Sequence, residues 1–143
     1  LLAASGRTVS RRSAWADGPE ATAELWLGDS LREMPLYYGL ADAALLGGSF
    51  APLGGQNLIE ACACGKPVLF GPHTFNFKQA SDDAIASGAA RRVDHARQLF
   101  QSAFDLLAEP AQRQQMAEAA LRFADSEGGA THRTLALVAQ LLH

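Results

Sequence analysis

The chain has 143 residues, 48% of them hydrophobic, enough for one domain with a proper core and too few for two ordinary ones. Its formal charge of -3, with no run of four or more Lys or Arg, lacks the basic stripe that displaces counterions, so no nucleic-acid partner is expected. No apolar run approaches the roughly 18 to 20 residues of a membrane span, and the first residues show no charged-then-apolar signal pattern, so the polypeptide itself reads as soluble.

Residues 1–6 read as the last turn of a helix with Gly6 as its C-terminal cap, so the sequence is expected to begin in the middle of a fold. A short strand is predicted over 8–12, a loop over 13–22, a second strand over 24–28 and a helix over 35–40. A third strand over 41–47 ends in glycines and is followed by a helix over 58–64. Residues 67–70 are continuously apolar, as a strand buried on both faces should be. Further helices are predicted over 77–87, 95–107, 111–125 and 130–142, with a strand over 90–93. Pro110 suits the first turn of the third of these. Short apolar runs alternating with helices define an α/β chain with a parallel sheet and helical crossovers.

The stretch that bears most on chemistry is Gly54-Gly55-Gln56-Asn57-Leu58-Ile59-Glu60. Asn57 and Glu60 are three apart at a helix start and share a face. A carboxylate there can accept hydrogen bonds from both hydroxyls of a ribose, and the amide can serve a base, sugar or phosphate oxygen. The two preceding glycines let backbone approach a ligand closely, and the helix start adds N–H donors. Equally, Asn57 can be an N-cap and Glu60 the other half of a capping box.

Ser30-x-x-Glu33 also scans as a capping box, but Pro35 suits a first helical position better than a fifth. Residues 30–33 then form a loop at a strand's C-terminal end, where open α/β sheets bind ligands. Gly47-Gly48 and Gly71-Pro72-His73-Thr74 also follow strands and should line the same rim. His73 is either a phosphate or sugar contact or a structural residue. Arg11 and Arg12 could meet phosphate, and so could Arg91 and Arg92, but adjacent arginines after a strand are more often one solvated and one paired. Cys62 and Cys64 diverge on a helix, suiting neither a disulfide nor zinc, and read as small core residues. No carboxylate cluster suggests a metal, and G-x-G-x-x-G, G-x-S-x-G and G-x-x-x-x-G-K-[ST] patterns are missing.

Taken together, these motifs resemble the C-terminal half of the lipopolysaccharide Kdo transferases (3-deoxy-D-manno-octulosonic acid transferases). The matching segments are Thr8-Val9-Ser10-Arg11-Arg12-Ser13, Gly28-Asp29-Ser30, Leu36-Tyr37-Tyr38-Gly39-Leu40-Ala41-Asp42 and Gly47-Gly48-Ser49. The strongest are 54–60, quoted above, and Gly65-Lys66-Pro67-Val68-Leu69-Phe70-Gly71-Pro72-His73-Thr74-Phe75-Asn76-Phe77. The resemblance implies two Rossmann-like domains in the GT-B arrangement. Residues 1–143 would be the C-terminal nucleotide-sugar domain, incomplete at its N-terminus, with 111–143 a C-terminal helical segment.

The activity implied is inverting transfer of Kdo from CMP-Kdo to the lipid A precursor, at the cytoplasmic face of the bacterial inner membrane, with no cofactor and no metal. Asn57, Leu58, Ile59 and Glu60 would hold the CMP portion, with Glu60 on the ribose. Ser30, Leu31 and Arg32 would supply further CMP contacts, chiefly through backbone donors. The family has Thr-Met-Gly at those three positions and histidine where this chain has Gln56.

By the same resemblance the catalytic base is a glutamate of an N-terminal domain that also carries the acceptor site and the membrane anchor. No catalytic residue is therefore expected in this chain, and membrane contact is expected only through a parent protein. The polypeptide is expected to bind CMP weakly at best and to be inactive alone. The first strands of the C-terminal domain and a Pro-Arg-His motif at the donor phosphate are not in the sequence, and open sheet edges lead us to expect self-association. Alternatives are another GT-B donor domain using a UDP-sugar, an epimerase, or a non-catalytic interaction module in which Ser30 and Asn57 only cap helices.

Overall fold

The computed structural model describes residue 4 and residues 6–141. The helix end expected over 1–6 therefore lies largely outside the described residues, as does the predicted helix end at Leu142. Contacts divide the chain into two compact units, Leu1–Tyr37 and Tyr38–His143.

In the first unit, β1 (Val9–Arg11) pairs in parallel with β2 (Leu25–Leu27), with Val9 opposite Leu25 and Arg11 opposite Leu27. The 13–22 segment, expected to be a loop, contains only the end of a short 3-10 turn over Arg12–Ala14. Trp15 closes it: its indole Nε1 donates to the Oγ of buried Ser10 at 2.7 Å, and its ring meets Trp26 edge-on with centroids 5.7 Å apart. At the entrance to the pair, Arg7 and the Thr8 amide both reach the Glu24 carboxylate, at 2.6 and 3.2 Å. Helix α1 (Met34–Leu40) begins one residue earlier than predicted, so Pro35 occupies its second position, still inside the turn where a missing N–H costs nothing.

In the second unit, β3 (Ala44–Leu46), β4 (Val68–Phe70) and β5 (Ala90–Arg92) form one parallel sheet in the order β3-β4-β5. All three residues of β4 are fully buried, and period-two alternation sends them to two cores. Val68 and Phe70 face a cluster that includes Ala61 and Cys62 of α2 (Ile59–Ala63), Ala84 of α3 (Lys78–Ala86) and Ala119, Ala120 and Phe123 of α5 (Pro110–Leu141). Leu69 faces Val93, Met116 and Leu99 and Leu106 of α4 (Ala96–Ala108). This is the two-sided burial that the apolar run predicts. His95 caps α4, its Nδ1 accepting from the Gln98 N–H at 3.2 Å.

The turn from α2 into β4 explains the Gly-Lys-Pro segment. Gly65 is left-handed, at φ +66°, with its N–H on the Cys62 carbonyl at 2.8 Å and the Lys66 N–H on that of Ala61 at 3.1 Å. That pair of bonds is a Schellman cap. Pro67 then commits the chain to extended structure.

One expectation is corrected. The sequence predicts helices over 111–125 and 130–142 with a break at Ser126-Glu127-Gly128-Gly129, whereas α5 runs unbroken from Pro110 to Leu141. A glycine inside a helix costs about 1 kcal/mol but stops it only by turning left-handed, and neither Gly128 nor Gly129 does so.

Candidate functional site

In the second unit the loops after β3 and β4 meet the segment leading into α2. Buried Ser49 ties the first two together, its Oγ accepting from the Gly71 N–H at 2.6 Å and its carbonyl from the His73 N–H at 3.0 Å. Gln56 Oε1 accepts from the Gly48 N–H at 3.2 Å, and the Gly54 carbonyl accepts from the Asn76 N–H at 3.1 Å. Of the rim expected from 30–33, 47–48, 54–60 and 71–74, the last three segments are therefore brought together within the second unit.

Gly54 and Gly55 serve that assembly. Both are at positive φ, +93° and +86°, and a Cβ on Gly54 would lie 2.1 Å from Asn76 Nδ2. One on Gly55 would lie 3.2 Å from the His73 carbonyl oxygen. The close approach that the sequence suggests for a ligand is made here by the chain's own Gly71–Phe77 turn.

Asn57 and Glu60 do share a face. The Asn57 Nδ2 donates to Glu60 Oε1 at 3.3 Å, and its Oδ1 accepts from the Ile59 N–H at 3.0 Å. Glu60 is exposed. The capping-box alternative is half realised: Asn57 caps a backbone donor, but Glu60 turns to the Asn57 amide. Leu58 is 1% exposed, so a ligand contact there is through backbone, while Ile59 packs against the core and is only partly exposed. Because α2 is only five residues long, the macrodipole at its start is small, and the segment offers a ligand chiefly its N–H donors.

Tyr38 lies near this face, a neighbour the sequence reading did not single out. Its phenol pKa is raised, first by burial and then by the Glu60 carboxylate. Spacing offers no signal for a pair 22 residues apart; only the packing of Tyr38 against the α2 core brings it there.

Beside the rim is a cavity of about 330 Å3 lined by Pro72, His73, Thr74, Lys78, Asp82 and Arg92, among others. Asp82 takes Lys78 at 2.8 Å and Arg92 at 2.9 Å, and these hydrogen bonds, Lys78 first, hold its carboxyl below the usual range. Arg92 is thus the paired member of its doublet, as expected.

Ser30, Leu31 and Arg32 fall in the first unit. Ser30 Oγ donates to the Glu33 carboxylate, which also accepts from Tyr37 Oη at 3.1 Å and pairs with Arg12 at 2.8 Å. These partners, Ser30 first, lower the Glu33 pKa. Of the two readings of this segment, the capping box is not formed: Ser30 and Glu33 make a side-chain pair, and 30–33 is the loop that Pro35 implies. Leu31 is 91% exposed, and Arg32 is left-handed at φ +66°, at the position where the resemblance has glycine. Arg12 pairs with Glu33, and Arg11, though exposed, also reaches Asp29 at 3.8 Å, so both members of this doublet have a carboxylate and the expected split into one solvated and one paired arginine does not occur here.

Cys62 is buried with its thiol pKa pushed up to about 12 by that burial, and Cys64 is half-buried. Both are free thiols, Cys62 in the core as predicted. Among the described residues no group of three or more His, Cys, Asp or Glu could hold a metal, and no helix is long and apolar enough to cross a membrane.

No protein-family model matches the chain. The chain is 58% identical over 134 residues to the 3-deoxy-D-manno-octulosonic acid transferase of Bordetella pertussis, covering 94% of this chain and 31% of that protein. The enzyme of the same name from Haemophilus influenzae is 31% identical over 121 residues, 84% of this chain and 28% of the relative. Among solved structures, the C-terminal CMP-Kdo binding domain of WaaA from Acinetobacter baumannii superposes with a TM-score of 0.75 at 30% identity, covering 82% of this chain and 61% of that one. The chain thus spans less than a third of the length of these two sequence relatives. The parallel sheets with flanking helices expected from the sequence are the fold of that C-terminal domain. By sequence and by fold, the chain belongs to the 3-deoxy-D-manno-octulosonic acid transferase family and corresponds to part of its C-terminal domain.

Proposed function

We propose that this chain is the donor-binding part of a Kdo transferase, holding CMP-Kdo for inverting transfer onto the lipid A precursor in lipopolysaccharide biosynthesis. The observation that carries the reading is the match of 82% of the chain to a solved domain that binds CMP-Kdo. The geometry supports it: Glu60 offers an outward carboxylate steadied by Asn57, suited to the two hydroxyls of a ribose. Leu58 anchors that pair by burying its side chain, and Ile59 packs partly against the same core. Backbone donors of Ser30, Leu31 and Arg32 are assigned to further CMP contacts.

The catalytic base is assigned to an N-terminal domain of the parent enzyme. The parent enzyme would then work at the cytoplasmic face of the inner membrane, with this part contributing donor binding and needing no cofactor or metal. Among the described residues the strand order leaves one side of β3 and one side of β5 unpaired, which supports self-association of the isolated chain and is tested by light scattering.

Titration calorimetry with CMP and with UDP tests the donor assignment. CMP should bind more tightly, and Glu60→Ala should weaken it at least tenfold. A preference for UDP, or CMP binding indifferent to Glu60→Ala, overturns the reading.

A further inference from the structure

We propose that a groove along the outer side of β5 binds a phosphate ester carried on an apolar body. The groove, about 630 Å3, lies between β5, the Ser87-Gly88 turn at the end of α3 and one face of α5, a volume typical of small-molecule sites. It shares no lining residue with the Asn57–Glu60 face. From α5 it takes Gln112, Gln115, Met116, Ala119 and Arg122, whose three- and four-residue spacing puts them on one side of the helix.

Its charge is one-sided. Arg91, Arg92 and Arg122 line it and no carboxylate does. Arg92 is committed to Asp82, but Arg91 and Arg122 have neither a hydrogen bond nor an ion pair among the described residues. By contrast Arg7, Arg11, Arg12 and Arg113 each hold a carboxylate. Two open guanidiniums, with two glutamine amides beside them, call for a partner rich in acceptors and poor in donors. The charge of about -2 on a phosphate monoester matches that pair, and the guanidinium fork suits its oxygens. The wall between the cations is apolar: Ala90, Met116 and Ala119 are 6%, 8% and 4% exposed. That wall is already dry; the apolar surface an alkyl carrier would cover, and an inorganic ion would leave in water, is the half-buried Ile85 and the methylene stems of Arg91, Arg122 and the two glutamines.

The test uses the whole chain and hexyl phosphate, followed by amide chemical shifts and calorimetry. Hexyl phosphate should bind more tightly than inorganic phosphate and shift the amides of Gly88, Arg91 and Arg122. The double variant Arg91→Gln, Arg122→Gln should bind it at least tenfold more weakly, while Arg97→Gln, an exposed arginine outside the groove, should leave it within twofold. Sedimentation with phosphatidic acid vesicles against phosphatidylcholine vesicles separates the two sources of the ligand. Co-sedimentation lost in the double variant assigns the site to a lipid headgroup; hexyl phosphate binding without co-sedimentation assigns it to a soluble ester. Equal binding of inorganic and hexyl phosphate, full binding by the double variant, or shifts confined to residues outside the groove overturns the proposal. Should the double variant not fold, the wild-type shift map decides alone.

Discussion

Asn57 donates its side-chain amide to Glu60 at 3.3 Å while its Oδ1 accepts from the Ile59 N–H at 3.0 Å, so one side chain both starts α2 and steadies the carboxylate beside it. Asn57→Ala removes both contacts and should lower stability by about 1 kcal/mol in urea unfolding. Asn57→Asp keeps the Ile59 acceptor and should recover at least half of that loss. Equal midpoints for all three proteins would mean that the contacts do not form in solution.

Arg32 holds φ +66° with its side chain exposed. A non-glycine residue in that region costs roughly 1 to 2 kcal/mol, partly offset by the greater unfolded-state freedom of glycine. Arg32→Gly should therefore stabilise the first unit by about 0.5 to 1 kcal/mol. A lower melting temperature for the variant would contradict this.

Gly54 and Gly47 make a matched pair of probes. A Cβ on Gly54 meets a positive φ and Asn76 at 2.1 Å, while one on Gly47 meets nothing within 4 Å. Gly54→Ala should cost about 3 kcal/mol, from strain plus overpacking, and Gly47→Ala well under 1 kcal/mol. Similar denaturation midpoints for the two variants would show that the rim is looser than described.

Glu33 titrates below its ordinary value of 4.5 because Ser30, Tyr37 and Arg12 bond its charged form. A carboxyl whose folded pKa is depressed stabilises the fold above its unfolded pKa and loses that contribution as pH falls through the folded pKa. Both tryptophans of the chain, Trp15 and Trp26, lie in the first unit, so their fluorescence reports this unit alone. Denaturant titrations followed by fluorescence should show stability falling below about pH 4.5, with a shallower fall in Glu33→Gln. An unchanged slope in the variant would remove Glu33 from the account.

The two thiols should separate chemically. Cys62 is buried with a pKa of about 12, whereas Cys64 is partly accessible. Iodoacetamide at pH 8 should label Cys64 in the native chain, and Cys62 only on unfolding. Fast native labelling of both would show that the α2 core opens readily.

Local chemistry made much of the fold legible. The apolar run of β4 and the one-turn spacing of Asn57 and Glu60 are both written within a few residues, and each takes the form that spacing predicts. Helix ends were legible to within a residue or two, as at α1 and α4. The continuity of α5 was not, because a Gly-Gly pair stops a helix only in one backbone conformation, and composition does not select it.

By itself, then, the sequence determined the alternation of strands and helices, the two-sided burial of β4 and the amide–carboxylate pair at the start of α2, since each depends on periodicity or on neighbours one turn away. Only the tertiary structure decided that Gly54 and Gly55 pack against Asn76 and His73, that Tyr38 stands near Glu60, and that Arg92 is paired while Arg91 is not. Those relationships join residues roughly 10 to 20 or more positions apart, and no local rule of spacing reaches that far.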